Sequence, residues 1–69
     1  MTRERHCLRY GAQEIHYEVK RRPRKTLEIA VEPDASVMIA APLETPLAAI
    51  EARLRKRAAW VVRQQRYFS

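Results

Sequence analysis

The spacing of apolar residues changes abruptly between Pro42 and Pro46, and that change limits the fold more than any other feature of the 69-residue chain. Before it, the mainly apolar sets recur at alternate positions: His6, Leu8 and Tyr10, then Ile15, Tyr17 and Val19, then Leu27, Ile29 and Val31, then Val37, Ile39 and Ala41. A period of two places each set on one face of a strand. After it, Leu47, Ile50, Leu54, Ala58, Val61 and Phe68 recur at three, four or seven, the stripe of a helix. Gly11-Ala12 divides the first two runs, and the only glycine of the chain supplies the positive φ that a tight hairpin needs. Glu32-Pro33-Asp34-Ala35-Ser36 divides the last two with proline and aspartate turn chemistry, and Pro42 ends the fourth run because it cannot donate to a ladder. Thr45 suits an N-cap and Pro46 a first helical position, so one long helix is predicted from about 46 to 67, uninterrupted by glycine or proline. The expected fold is α+β, in the order ββββα. A four-stranded antiparallel sheet of two hairpins, over about 6–41, is packed by the C-terminal helix, with 1–69 as a single domain.

A domain of this size buries only about 60% of the surface its unfolded chain exposes, so its stability margin is small. Hydrophobic residues make up 46%, enough for a compact fold. The net charge of +6 and pI near 10.3 rest on eleven arginines and three lysines against eight acids. That balance favours an anionic partner, although small domains also carry a charge of about 2 to 8 for solubility alone. The single cysteine, Cys7, allows no internal disulfide and fits a reducing compartment. There is no apolar run of membrane-spanning length, and MTRERHCLRY lacks the apolar core of a signal peptide. The expectation is a cytoplasmic protein with no membrane partner.

Five cations surround Pro23 in VKRRPRKT, just before the third strand. A second group lies on the helix, where Arg53, Lys56, Trp60, Arg63 and Tyr67 interleave basic and aromatic side chains. Arg21, Arg22, Arg24, Lys25, Arg53, Lys56, Trp60 and Arg63 are therefore the candidate binding surface, able to neutralise phosphates and stack a base. The competing reading is a solvated basic face with Trp60 packed at the sheet edge. His6 and Cys7 are adjacent and point to opposite faces of a strand, while His16 shares its outward face with Glu14 and Glu18. No HExxH, CxxC or His-x-His spacing occurs, so these residues read as surface histidines and a partly buried thiol, with no metal or cofactor site. No glycine-rich phosphate loop or hydrolytic dyad is present, and no catalytic residue is assigned.

The ordered run IHYEVKRRPRKTLEIAVEPDASVMIAAP, followed by AAWVVRQQRYF, resembles the N-terminal region of the YgjP-like metal-dependent hydrolases, relatives of the SprT-type zinc metallopeptidases. Arg22, Arg24, Lys25 and Thr26 match that family's basic turn, Ile29 and Val31 its next strand, Val37, Ile39, Ala41 and Pro42 its fourth, and Trp60-Val61 its helix. The likeness covers about residues 13 to 68. The family's HExxH helix and third zinc ligand lie C-terminal to this region and match nothing here, so zinc is expected only in a full-length member.

The resemblance implies a scaffolding or substrate-side module of such a peptidase, catalytically inert as these 69 residues, with the parent's catalytic domain or a peptide as partner. The alternatives are a small basic nucleic-acid-binding module, or a protein-interaction or oligomerisation domain whose Trp60 and Phe68 flank is covered by a partner.

Overall fold

Gly11 adopts φ 62 as the first central residue of a two-residue turn, and its backbone freedom is what closes the first hairpin. In the computed structural model, which describes residues 3–68, strand β1 (Arg3–Tyr10) pairs antiparallel with β2 (Gln13–Arg22) from Tyr10 opposite Gln13 to Arg3 opposite Lys20. Leu8, Ile15, Tyr17 and Val19 point to the buried face, while Arg3, Arg5, Cys7 and Arg9 share the other face with Glu14, His16, Glu18 and Lys20.

Strands β3 (Glu28–Val31) and β4 (Val37–Pro42) form the second hairpin. The amide of Ala35 donates to Glu32 O and the amide of Glu32 to Ser36 O, both at 2.8 Å, and Ala35 takes φ 70. This is a type I turn closed by a left-handed residue, a three-residue hairpin loop in which glycine is the usual occupant of Ala35's place. Asp34 Oδ1 accepts from the Ser36 amide at 3.0 Å and from its hydroxyl at 2.6 Å, and these bonds hold the Asp34 carboxyl below its ordinary pKa.

The two hairpins do not join as a fully antiparallel sheet. The strand order is β1-β2-β4-β3, with β4 between the others and parallel to β2, Tyr17 opposite Val37 and Arg22 opposite Pro42. The sheet is therefore mixed, a correction to the antiparallel expectation. Two strands carry the physical reason. β4, VMIAAP, is apolar throughout and gains paired edges on both sides at the centre, whereas the charged RERHCLRY of β1 is tolerable at an edge. The chain must then step over β4 from β2 to β3, a lateral distance of about 10 Å. Residues 23–27 make that step.

The single helix of the sequence reading is two: α1 (Leu47–Lys56) and α2 (Ala58–Phe68). At Arg57, with φ −104 and ψ 7, the amide is shared between Arg53 O at 3.3 Å and Leu54 O at 3.0 Å, and Val61 N returns to Arg57 O at 2.9 Å. The bend keeps Ile50, Leu54, Ala58 and Val61 all fully buried and brings Gln65 Nε2 to Ala35 O at 3.0 Å. Pro46 rather than Thr45 occupies the N-cap: its carbonyl accepts the amides of Ala49 and Ile50, and no side chain caps the helix. Eleven residues form the core, from Leu8 to Val61, with Leu27, Ile29, Val31, Trp60 and Val62 packed around them. Leu47 is half-buried and Phe68 exposed, so the helical stripe is buried only in its middle.

The strain at Ala35 yields a stability prediction. A left-handed alanine costs roughly 1–2 kcal/mol, and glycine returns about 0.4–1 kcal/mol of that through the unfolded chain. Ala35→Gly should therefore stabilise the fold by about 0.5–1 kcal/mol and raise Tm by a few degrees in thermal denaturation.

Candidate functional site

The eight candidate surface residues separate into three roles. Arg21 is not a free cation: its Nε donates to Glu4 Oε2 at 2.6 Å and its Nη1 to Thr45 O, with only 18% of the side chain exposed. It ties β1, the end of β2 and the loop before α1 into one corner. Arg24 is half-buried along its stem, with Nη2 3.4 Å from Thr26 Oγ1 and a buried Nε lacking a protein acceptor. Arg22 and Lys25 are exposed, and none of the ion pairs among the described residues involves them. Pro23, Arg24 and Lys25 face Pro42, Leu43 and Glu44 across a shallow depression, as the step over the end of β4 requires.

Arg53, Lys56 and Arg63 are exposed on the helices, and Trp60 is half-buried against the core. The Arg57 guanidinium lies 5.2 Å from the centre of the Trp60 ring, a cation–π contact that occupies one face a base would need. The basic turn and the helical cations do not form one surface. Arg55 Nη1 donates to Arg9 O at 3.3 Å, placing the end of α1 at the turn end of the first hairpin, while Arg22 lies at the opposite end of β2. The eight residue steps from Glu14 to Arg22 span about 26 Å of strand.

Acidic side chains gather on the first hairpin. Glu18 lies 3.8 Å from Arg3 and 3.5 Å from Arg5, and Glu14 lies 3.9 Å from Arg9. These exposed pairs contribute little individually, but they neutralise β1, whereas none of the ion pairs among the described residues involves Arg53, Lys56 or Arg63.

Two further clusters emerge on that hairpin. On the buried side, the His6 and Tyr17 rings are 5.7 Å apart, His6 Nε2 is 3.2 Å from Glu4 Oε1, and the Tyr17 hydroxyl is buried without a protein partner; burial pushes its pKa up. On the opposite side, Cys7 stands directly across from His16, and Glu14 lies two positions from His16 on the same face. The donor atoms of Cys7, Glu14 and His16 all lie within 4.8 Å of one another, and all three residues are exposed. The thiol is thus not partly buried as its sequence setting suggested. Sequence spacing hid this group because the three residues span ten positions and match no linear motif. The available signal was register: a two-residue turn at Gly11-Ala12 places position 7 opposite position 16.

The Glu4 carboxyl is held below its ordinary pKa of 4.5, first by the hydrogen bond from Arg21 and next by that from His6. A lowered folded-state pKa means that folding favours the carboxylate. Its contribution is fully present above pH 4.5 and is lost as pH falls through the lowered value. Urea midpoints of the wild type and Glu4→Gln should differ by a constant amount from neutral pH down to about 5, and the gap should close in more acidic solution. A gap independent of pH would remove the pair from the stability of this corner.

No protein-family model matches the chain, no curated protein matches it significantly in sequence, and no solved structure matches it significantly in fold.

Proposed function

We propose that this unit is the N-terminal, substrate-side scaffold of a YgjP-like zinc metallopeptidase. One observation carries the reading. The apolar positions of the resemblance, Ile29, Val31, Val37, Ile39 and Ala41, share the sheet face packed beneath the helices with Val61, while the opposite face carries no element of residues 3–68. That uncovered face presents the half-buried Ala30, Met38, Ala40 and Pro42 beside Glu18, Lys20 and Arg22, a surface suited to a neighbouring domain. The four-residue β3 supplies an edge to which an extended peptide can add as a further strand.

The family's zinc does not fit the residues present. Its site needs two helical histidines one turn apart with a glutamate to activate water. The only group of three ligands found among the described residues lies on two strands. The hydrolytic step therefore belongs to the parent's catalytic domain, and residues 1–69 supply support for it.

The coding sequence downstream of residue 69 tests the proposal. An HExxH motif is expected within the next domain length, about 100–150 residues. Deleting residues 1–69 from that longer protein should abolish peptidase activity while zinc content persists. Absence of the motif would overturn the reading.

A nucleic-acid-binding role draws on one separate observation: Arg53, Lys56 and Arg63 are exposed and in none of the ion pairs among the described residues. If these contact phosphate, log affinity for short duplex DNA falls linearly with log salt, and each Arg or Lys→Ala substitution removes about 0.9 from the slope. Fluorescence anisotropy across a salt series measures it, and no binding at low salt would end this reading.

A further inference from the structure

We infer that Cys7, Glu14 and His16 form a zinc-class divalent metal site on the uncovered face of the first hairpin, with three protein ligands and an open fourth position. None of the three is among the residues matched to the family's basic turn, strands or helix, so the site stands apart from the peptidase reading.

The argument begins with the donor set. A thiolate, an imidazole and a carboxylate suit a borderline-soft cation, and each is a recognised zinc ligand. Thiolate and carboxylate together cancel the charge of a divalent ion. As Sγ coordinates, the thiol proton passes to solvent, while His16 binds as neutral imidazole.

Backbone geometry holds the three together. Cys7 and His16 are directly opposed on paired strands, and Glu14 projects from the same face. His16 Nε2 and Glu14 Oε1 already lie 3.8 Å apart. Around a tetrahedral zinc, donor atoms are about 3.4–3.6 Å from one another. From separations within 4.8 Å, closure needs adjustments of roughly 1 Å by exposed side chains, and the ladder need not move.

The neighbouring charges set the site's character. Arg9 Nη2 sits 3.9 Å from Glu14 Oε2 and competes with the metal for that carboxylate's charge. Arg5, on the same face two positions before Cys7, is engaged with Glu18 at 3.5 Å. Both cations oppose the incoming ion, so removing Arg9 should tighten binding. With three protein ligands, the remaining position is left to water or an exchangeable ligand, as in zinc sites that do chemistry rather than hold a fold.

The test is a cobalt(II) titration of the reduced, metal-free protein. The expected result is a thiolate-to-cobalt charge-transfer band with intense visible bands of tetrahedral cobalt, saturating at one metal per chain and displaced by zinc. Cys7→Ser should abolish the charge-transfer band. Glu14→Gln and His16→Ala should each weaken binding by at least about tenfold, and Arg9→Ala should strengthen it. His6→Ala, on the opposite face of the sheet, should leave it unchanged, with circular dichroism verifying that each variant is folded. Absence of a thiolate band, or binding that survives Cys7→Ser, would overturn the site. So would saturation at half an equivalent with dimers in sedimentation, since the metal would then need ligands from two chains.

Discussion

Inserting β4 between β2 and β3 gives the most apolar strand of the chain hydrogen-bonded neighbours on both edges, and the other features of the molecule follow from that placement. Because β2 and β4 run parallel, the chain cannot pass between them through a tight turn. It reverses through β3 on the far side, and residues 23–27 become a strap over the end of β4. The cations of VKRRPRKT lie where they do because that strap and the corner below it are at the surface. Arg21 is the exception, since its side chain turns inward and fastens Glu4 to the loop before α1.

Charge follows the same division. Strand β1 sits at an edge and carries Arg3, Arg5 and Arg9, each within ion-pair distance of a glutamate on β2, with Glu18 shared by Arg3 and Arg5. The pairing lowers the local charge of a strand whose outer edge is unpaired, while Arg53, Lys56 and Arg63 on the helices keep theirs. A basic composition thus resolves into a β1 strand whose arginines are paired and two separate basic regions, at the strap and on the helices.

Much of the fold was legible in linear order. Alternation at Ile15, Tyr17 and Val19 and at Val37, Ile39 and Ala41 named the buried faces correctly, and Ile50, Leu54, Ala58 and Val61 named the covering stripe. Periodicity specifies which face of an element is apolar and is silent on which neighbour that element takes. The parallel pairing was therefore out of reach, and so was the break at Arg57, which carries no glycine or proline to announce it. The break leaves Ile50 and Leu54 of α1 and Ala58 and Val61 of α2 buried together, a packing that exists only after the sheet has formed.

What the chain determines by itself is local: positive φ at Gly11, turn chemistry at Pro33 and Asp34, and the apolar period of each element. These depend on torsional preference and on spacing within a few residues. Tertiary structure alone decided the strand order, the conversion of Arg21 from a surface cation into a strut, and the meeting of Cys7, Glu14 and His16. Each of those depends on groups distant in sequence approaching within a few ångströms. That approach is set by burying one face of a whole sheet at once, and no single segment encodes it.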